Sequence, residues 1–222
     1  MRGDFSGGIL RKMSLECNRT IIRKNVCQKG RIAVKGKENM YTYEELKHFV
    51  DHCRRCPLAA TRHRAVMGRG NLQAPILFIA EGPGRNEDRD GIPFTGQSGQ
   101  VFDRLLSGIG LSREDIYITN IIKCHPPGNR DPRPEEQEAC MPYLKYETWL
   151  LKPKIIVCLG RVAAQRIIRP DFRITREHGN FLLRKGVWLT AVYHPSAILR
   201  DEAKLPETEA DFRTICDKLS EL

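Results

Sequence analysis

Short apolar runs recur along the chain after residue 40, and each is bounded by glycine, proline or polar residues. The runs are rich in isoleucine, valine and leucine, which is typical of strands. Their apolar character is continuous rather than alternating, as expected for parallel strands covered on both faces. The predicted strands are residues 76–80, 116–122, 155–160 and 187–193.

Amphipathic stretches separate these runs. Tyr43, Leu46 and Val50 fall at helical spacing after Thr42, a plausible cap. Similar spacing predicts helices over 101–106, 135–150, 161–168 and 212–219. Because strands alternate with helices, we predict an α/β fold with three α/β/α layers around a central four-stranded parallel sheet.

The first predicted strand ends in a loop that carries candidate chemistry. Gly82, Pro83 and Gly84 close the strand, and two acids and an aromatic ring follow at Glu87, Asp88 and Phe94. Ligands bind at this edge of open α/β sheets. No Gly-Lys-Ser/Thr follows, so the loop is not a P-loop. Acids with a planar ring suit a neutral planar ligand such as a nucleobase. Alternatively, the acids are solvated and Phe94 is a core residue.

Charge is concentrated at the start of the chain. The net charge is +10, and the first 39 residues hold ten basic against three acidic residues, or +7. A basic stretch of low hydrophobicity is expected to be mobile and to suit a polyanion. We therefore predict a basic arm over residues 1–40 and one folded domain over residues 41–222. An unstructured solubilising extension, or a start at Met13, would also explain the composition.

The eight cysteines favour metal ligation over disulfides, because nothing in the chain argues for export. Cys53 and Cys56 form a C-x2-C at a helix end, Cys140 comes much later, and Cys158 follows after 17 residues. Four thiolates fit either zinc or an iron–sulfur cluster, and spacing does not choose between them. The others, Cys17, Cys27, Cys124 and Cys216, are expected to be structural or free thiols.

Several separated motifs together resemble family-four uracil-DNA glycosylases, over about residues 43–200. The motifs are Glu81-Gly82-Pro83-Gly84, Glu87-Asp88, Gly91-x-Pro93-Phe94-x-Gly96, Tyr117-Ile118-Thr119-Asn120, Lys123-Cys124-x-Pro126-Pro127-x-Asn129-Arg130 and Tyr193-His194-Pro195. The resemblance implies a DNA repair hydrolase that releases uracil and leaves an abasic site. It also implies a [4Fe–4S] cluster, assigned on the family's spacing to Cys53, Cys56, Cys140 and Cys158.

The resemblance further implies the role of each site residue. Phe94 would stack on the extruded uracil, with Gly82 beside it, and Asn120 would bond the Watson–Crick edge. His194 would face O2 and stabilise the departing anion. Glu81 and Glu87 would line the pocket, holding water or excluding the thymine methyl. The stretch from Ser196 to Arg200 would lie against DNA, with Ile198 or Leu199 as a wedge and Arg200 at a phosphate.

Two features depart from the family. His125 stands where arginine is usual, and the basic arm is longer than the relatives need. A related branch traps its product covalently through a histidine in an added basic loop, but the insertion expected between Cys124 and Cys140 is absent. The expected partner is uracil-containing DNA, and no membrane association is expected. We expect the protein to be a monomer in the cytoplasm, associated with the nucleoid. A non-catalytic or covalently trapping uracil-DNA-binding protein is the alternative.

Overall fold

The structure is a computed structural model that describes residues 41–222, and its centre is a sheet in the order β1-β3-β2-β4-β6-β5. The strands are β1 (Arg69–Gly70), β2 (Ile76–Ala80), β3 (Tyr117–Asn120), β4 (Ile155–Leu159), β5 (Leu182–Arg184) and β6 (Val187–Val192). The predicted arm over residues 1–40 lies outside the described residues.

The four inner strands confirm the predicted parallel sheet. β3, β2, β4 and β6 pair in parallel. The edge strands β1 and β5 pair antiparallel and were not predicted. β1 has only two residues, and all three residues of β5 are exposed, so neither leaves a recognisable apolar run.

Helices cover both faces of the sheet. They are α1 (Tyr43–Asp51), α2 (Arg85–Asp90), α3 (Gln97–Gly108), α4 (Pro134–Leu151), α5 (Arg161–Ile167), α6 (Ile174–Glu177), α7 (Pro195–Arg200) and α8 (Leu205–Ser220). The sequence did not predict α2, α6 and α7, which have six residues or fewer. Such helices are too short to show a 3.6-residue period.

Alternation along the strands divides the core into two layers. Phe78 of β2 faces a cluster that includes Phe102 of α3 and Phe212 of α8. Its neighbour Leu77 faces the other cluster, which includes Leu144 of α4. Successive strand residues point to opposite faces, so a continuous apolar strand fills both layers. The predicted three-layer architecture is confirmed.

Helix α1 packs against α4 rather than against the sheet alone. A capping box starts α1: the Glu45 amide donates to Thr42 Oγ1 at 3.2 Å, and the Thr42 amide donates to Glu45 Oε2 at 2.6 Å. Leu46 and Val50 pack in a small cluster with tyrosines of α4, including Tyr143. This packing places the C-terminal end of α1 beside α4.

Within residues 41–222, none of the helices combines the length and the apolar character that a membrane crossing requires.

Candidate active site and cysteine pocket

A cavity of about 650 Å³ opens at the carboxyl end of the parallel strands. Most of its walls come from the segments that follow β2, β3, β4 and β6, so the sheet topology gathers them at one edge. Predicted site residues that line it are Glu81, Gly82, Glu87, Phe94, His194, Ser196 and Arg200.

Phe94 forms an aromatic wall of this cavity in an unusual backbone conformation. Its φ is 59°, in the left-handed region that bulky residues rarely adopt. The ring centroid lies 5.8 Å from that of His194 and 5.2 Å from that of Phe102. Phe94 is only 5% exposed, so the ring both packs on the core and faces the cavity. Phe94 is therefore a core residue that also lines the cavity, and its stacking on a base stays a prediction.

His194 follows β6 and caps α7. The Ser196 amide donates to Nδ1 of His194 at 3.1 Å. Burial, reinforced by the positive charge of Arg200, lowers the pKa of His194 to about 4. The imidazole is therefore neutral at pH 7, and because Nδ1 accepts a hydrogen bond, the proton lies on Nε2. Gly160 allows this placement, since a Cβ there would lie 2.9 Å from Cβ of His194.

Asn120 is the last residue of β3 and pairs with Ala80, the last residue of the neighbouring strand β2. Glu81 directly follows Ala80. It is 1% exposed, yet neither its amide nitrogen nor its amide oxygen has a hydrogen-bond partner within residues 41–222. Buried amides are almost always satisfied. Alternation puts Asn120 on the same face as Ile118, which belongs to the core cluster of Phe94. The lining of the cavity as it stands does not include Asn120.

Glu81 is the acid whose ionisation the site changes most clearly. Burial raises its pKa to about 7, with a further raising contribution from Asp131 and a lowering one from Arg161. Arg161 and Asp131 are themselves an ion pair at the cavity rim. A carboxyl group with such a pKa exists in both protonation states near neutral pH.

Glu87 lines the cavity but both of its oxygens are occupied by backbone. Oε2 accepts from the Gly84 amide at 2.9 Å, and Oε1 accepts from the Phe94 amide at 2.7 Å. This carboxylate therefore ties the two ends of the loop together. Asp88 is buried and accepts from the amide of His63 at 3.0 Å, which fixes the segment after the C-x2-C motif.

The predicted DNA contacts on α7 divide by helix face. Ile198 is 6% exposed and packs in the core cluster of Phe94, so its prediction as a wedge is wrong. Leu199 is 47% exposed and takes its place as the candidate wedge. Arg200 is exposed at the cavity rim, whereas the Ser196 hydroxyl lies 2.8 Å from Nδ1 of His194. The sequence did not resolve these faces because α7 has only six residues.

A second pocket lies between the end of α1, the loop after β3 and α4. Four cysteines line it: Cys53 and Cys56 after α1, Cys124 in the loop, and Cys140 in α4. Two nitrogens point at these sulfurs. Arg62 donates to Sγ of Cys124 at 3.0 Å, and the Lys123 amide donates to Sγ of Cys140 at 3.3 Å. Such donors suit thiolates that carry negative charge.

Cys158 does not line this pocket, so the structure does not bring it together with the other three predicted ligands. It lies within β4, is fully buried, and faces the core among apolar side chains. Cys124 stands in its place. The family's spacing did not decide between them, because 15 residues separate Cys124 from Cys140 and 17 separate Cys140 from Cys158. Within residues 41–222, no three histidine, cysteine or acidic side chains are close enough to share one metal ion.

The sequence profile of the uracil DNA glycosylase superfamily matches residues 67–220. This match spans the sheet and the cavity, and the protein belongs to that superfamily.

Within the superfamily, the chain is similar to several type-4 relatives. It is 42% identical to the type-4 uracil-DNA glycosylase of Archaeoglobus fulgidus over 184 residues, or 79% of this chain and 92% of the relative. It is 41% identical to that of Thermotoga maritima over 170 residues, covering 74% and 88%. A type-5 uracil-DNA glycosylase of Pyrobaculum aerophilum is 29% identical over 189 residues, covering 70% and 83%.

Proposed function

We propose that this protein is a monofunctional uracil-DNA glycosylase that flips deoxyuridine out of DNA and hydrolyses its N-glycosidic bond, for base excision repair. The observation that carries the proposal is the buried, unsatisfied amide of Asn120 beside the strand end that leads to the cavity. Burying an amide without hydrogen-bond partners costs free energy, and this cost is explained if a ligand completes the hydrogen bonds of Asn120. Similarity to type-4 relatives supports uracil as that ligand.

The three base-contacting residues have complementary roles. The Asn120 amide offers one donor and one acceptor, which match the O4 acceptor and N3–H donor on the uracil edge. The Phe94 ring supplies a stacking surface, with Gly82 also in the cavity wall. His194 supplies the remaining donor through Nε2–H.

The neutral form of His194 suits it to the departing base. When the bond between base and sugar breaks, uracil leaves as an anion with charge on O2. A hydrogen bond from Nε2–H strengthens as that charge develops, so it stabilises the transition state more than the ground state. The Ser196 amide holds the ring in the required tautomer through Nδ1.

Glu81 is the best candidate to orient the attacking water. Its pKa of about 7 makes the carboxylate available near neutral pH. Glu87 is engaged with the amides of Gly84 and Phe94, so we assign it to shaping the loop.

DNA would approach along α7, with the exposed Leu199 as wedge and Arg200 at a phosphate. Ser196, predicted as a DNA contact, is instead assigned to holding the His194 ring through its amide. An enzyme monomer near the nucleoid remains our prediction for assembly and location.

Cys53, Cys56, Cys124 and Cys140 fit a [4Fe–4S] cluster, since they provide four sulfurs around one pocket with N–H donors to two of them. When bound, the cluster would supply a structural link between α1, the loop after β3 and α4. We assign it no step in the hydrolysis.

The test is a single-turnover assay on an oligonucleotide with one deoxyuridine. We expect free uracil, and strand cleavage only after alkali treatment of the abasic site. Binding without uracil release would identify the non-catalytic alternative instead. A product that remains attached to protein on a denaturing gel would identify covalent trapping. A matched oligonucleotide with thymidine at the same position controls for specificity.

A further inference from the structure

Arg113, in the turn before β3, touches the segment that carries Phe94 at several points. Its Nη2 donates to the Phe94 carbonyl at 2.9 Å and to the Gly99 carbonyl at 3.4 Å, and its Nη1 donates to the Pro93 carbonyl at 3.3 Å. The guanidinium carbon lies 5.9 Å from the Phe94 ring centroid and 5.5 Å from that of Phe102. One side chain thus contacts both the backbone and the ring of Phe94.

Arg113 is itself held in place. Its Nε donates to Asp103 of α3 at 2.5 Å, and Nη2 lies 3.3 Å from the other oxygen of the same carboxylate. The turn that carries it is closed by Asp115, which accepts from the Ser112 amide at 2.9 Å and from its hydroxyl at 2.8 Å. A planar guanidinium fixed by a carboxylate can present its remaining donors in one direction.

Phe94 needs such support because of its backbone. A left-handed conformation costs a bulky residue about 1–3 kcal/mol and persists only where surrounding contacts hold it. Here the Phe94 amide is bound by Glu87 and its carbonyl by Arg113. Gly99 allows α3 to approach the Phe94 backbone closely, because a Cβ at this position would lie 1.9 Å from the Phe94 carbonyl oxygen. The peptide units on both sides of the ring are therefore fixed.

We propose that Arg113 is a positioning residue for the base-stacking ring, which it holds at the correct height and tilt in the uracil cavity through the Phe94 carbonyl. The inference rests on the proposed function, because it assigns a consequence to a stacking contact with uracil. Arg113 acts only through Phe94 and does not touch the base. Stacking geometry matters to rate because small displacements of a positioned reactant are costly.

A double-mutant cycle tests the inference. We expect Arg113→Ala to lower the single-turnover rate of uracil release about ten- to a hundredfold. In a Phe94→Leu background the same change should cost at most about twofold, because the ring through which Arg113 acts is gone. Arg113→Lys should recover part of the rate, since lysine keeps the charge and one donor but loses the fork. Arg104→Ala is the control and should be unaffected, because this arginine of α3 is exposed and its side chain makes no hydrogen bond or ion pair among the described residues.

Hydrogen exchange gives a readout that does not need substrate. Arg113→Ala should accelerate amide exchange over residues 91–99 while leaving β2 and β4 protected, and Arg104→Ala should change neither. Equal rate losses in the Phe94 and Phe94→Leu backgrounds would overturn the inference, and so would unchanged exchange over residues 91–99. A wild-type protein that releases no uracil would instead defeat the proposed function, and the exchange measurement would still decide whether Arg113 holds this segment.

Discussion

The cavity and the cysteine pocket both lie at the carboxyl end of β3, yet they are built in different ways. The cavity is assembled mainly from segments that follow β2, β3, β4 and β6, so strand order brings most of its residues together. The cysteine pocket depends on how α1 and α4 pack across a loop. Strand ends are visible in a sequence, whereas helix packing between distant segments is not. This difference explains why most of the predicted base- and DNA-contacting residues line the cavity, whereas one cysteine of the pocket was not predicted.

The two regions are also joined by buried charge. Lys123, next to Cys124, donates to the Asn120 carbonyl at 2.9 Å and pairs with Glu147 of α4. Both side chains are at most 1% exposed. Glu147 Oε1 also accepts from the Tyr117 hydroxyl at 3.1 Å, so the buried charges are well satisfied. We therefore expect a substitution in one region to change the stability of the other. The following experiments test how far the roles of the two regions are separate.

The largest expected effect is on chemistry in the cavity. Asn120→Ala or His194→Ala should lower the single-turnover rate roughly 10²–10³-fold, the usual value of one donor to a developing anion. The melting temperature of Asn120→Ala should stay the same or rise, because the change removes an unsatisfied buried amide. Asn180→Ala, at an exposed site, is the control. Near-normal rates in both cavity variants would contradict their assignment.

The second largest effect is on iron content, and it decides whether Cys124 or Cys158 is the fourth cluster ligand. Protein purified anaerobically should show broad visible absorbance and about four irons per chain, as in cysteine-ligated cubanes. Cys124→Ala and Cys140→Ala should lose iron and thermal stability, with a smaller loss of rate once the protein is folded. Cys158→Ala is the matched control and should keep its iron. Iron lost from Cys158→Ala but kept in Cys124→Ala would restore the ligand set predicted from sequence, and zinc in place of iron would reject the cluster.

Strand position, taken together with spacing, distinguishes the two cysteines in the sequence. Cys158 stands inside the apolar run from Ile155 to Leu159, so a place within a buried strand follows from its neighbours. Cys124 follows β3 in a proline-rich loop, where side chains are free to meet another element. The prediction of Ile198 as the wedge was wrong for a related reason. A helix of six residues is too short for its sequence to reveal which face is buried. Arg113 had no signal in the sequence, because only the fold brings the carbonyl groups, the Asp103 carboxylate and the aromatic rings to its side chain.

A moderate effect should follow pH. Because Glu81 has a pKa of about 7, its carboxylate fraction should rise about tenfold between pH 6 and 8, and the single-turnover rate should rise with it. His194 does not titrate in this window, since its pKa is about 4. The folded state holds the Glu81 proton more tightly than the unfolded state, so its contribution to stability is present below pH 4.5 and falls as pH rises towards 7. Glu81→Gln should flatten both profiles, and an unchanged rate profile in that variant would exclude Glu81 as the group observed.

The smallest expected effect on chemistry comes from the basic arm, which contains none of the residues assigned to either region. With +7 of the +10 net charge in the first 39 residues, the arm should add affinity for DNA that does not depend on sequence. Its deletion should weaken binding and flatten the salt dependence, because log K changes with log salt by about −0.9 per phosphate contact on duplex DNA. The single-turnover rate at saturating enzyme should hardly change. An unaltered salt slope would show that the arm does not contact DNA, and a collapse of the saturated rate would show that it belongs to the folded active site.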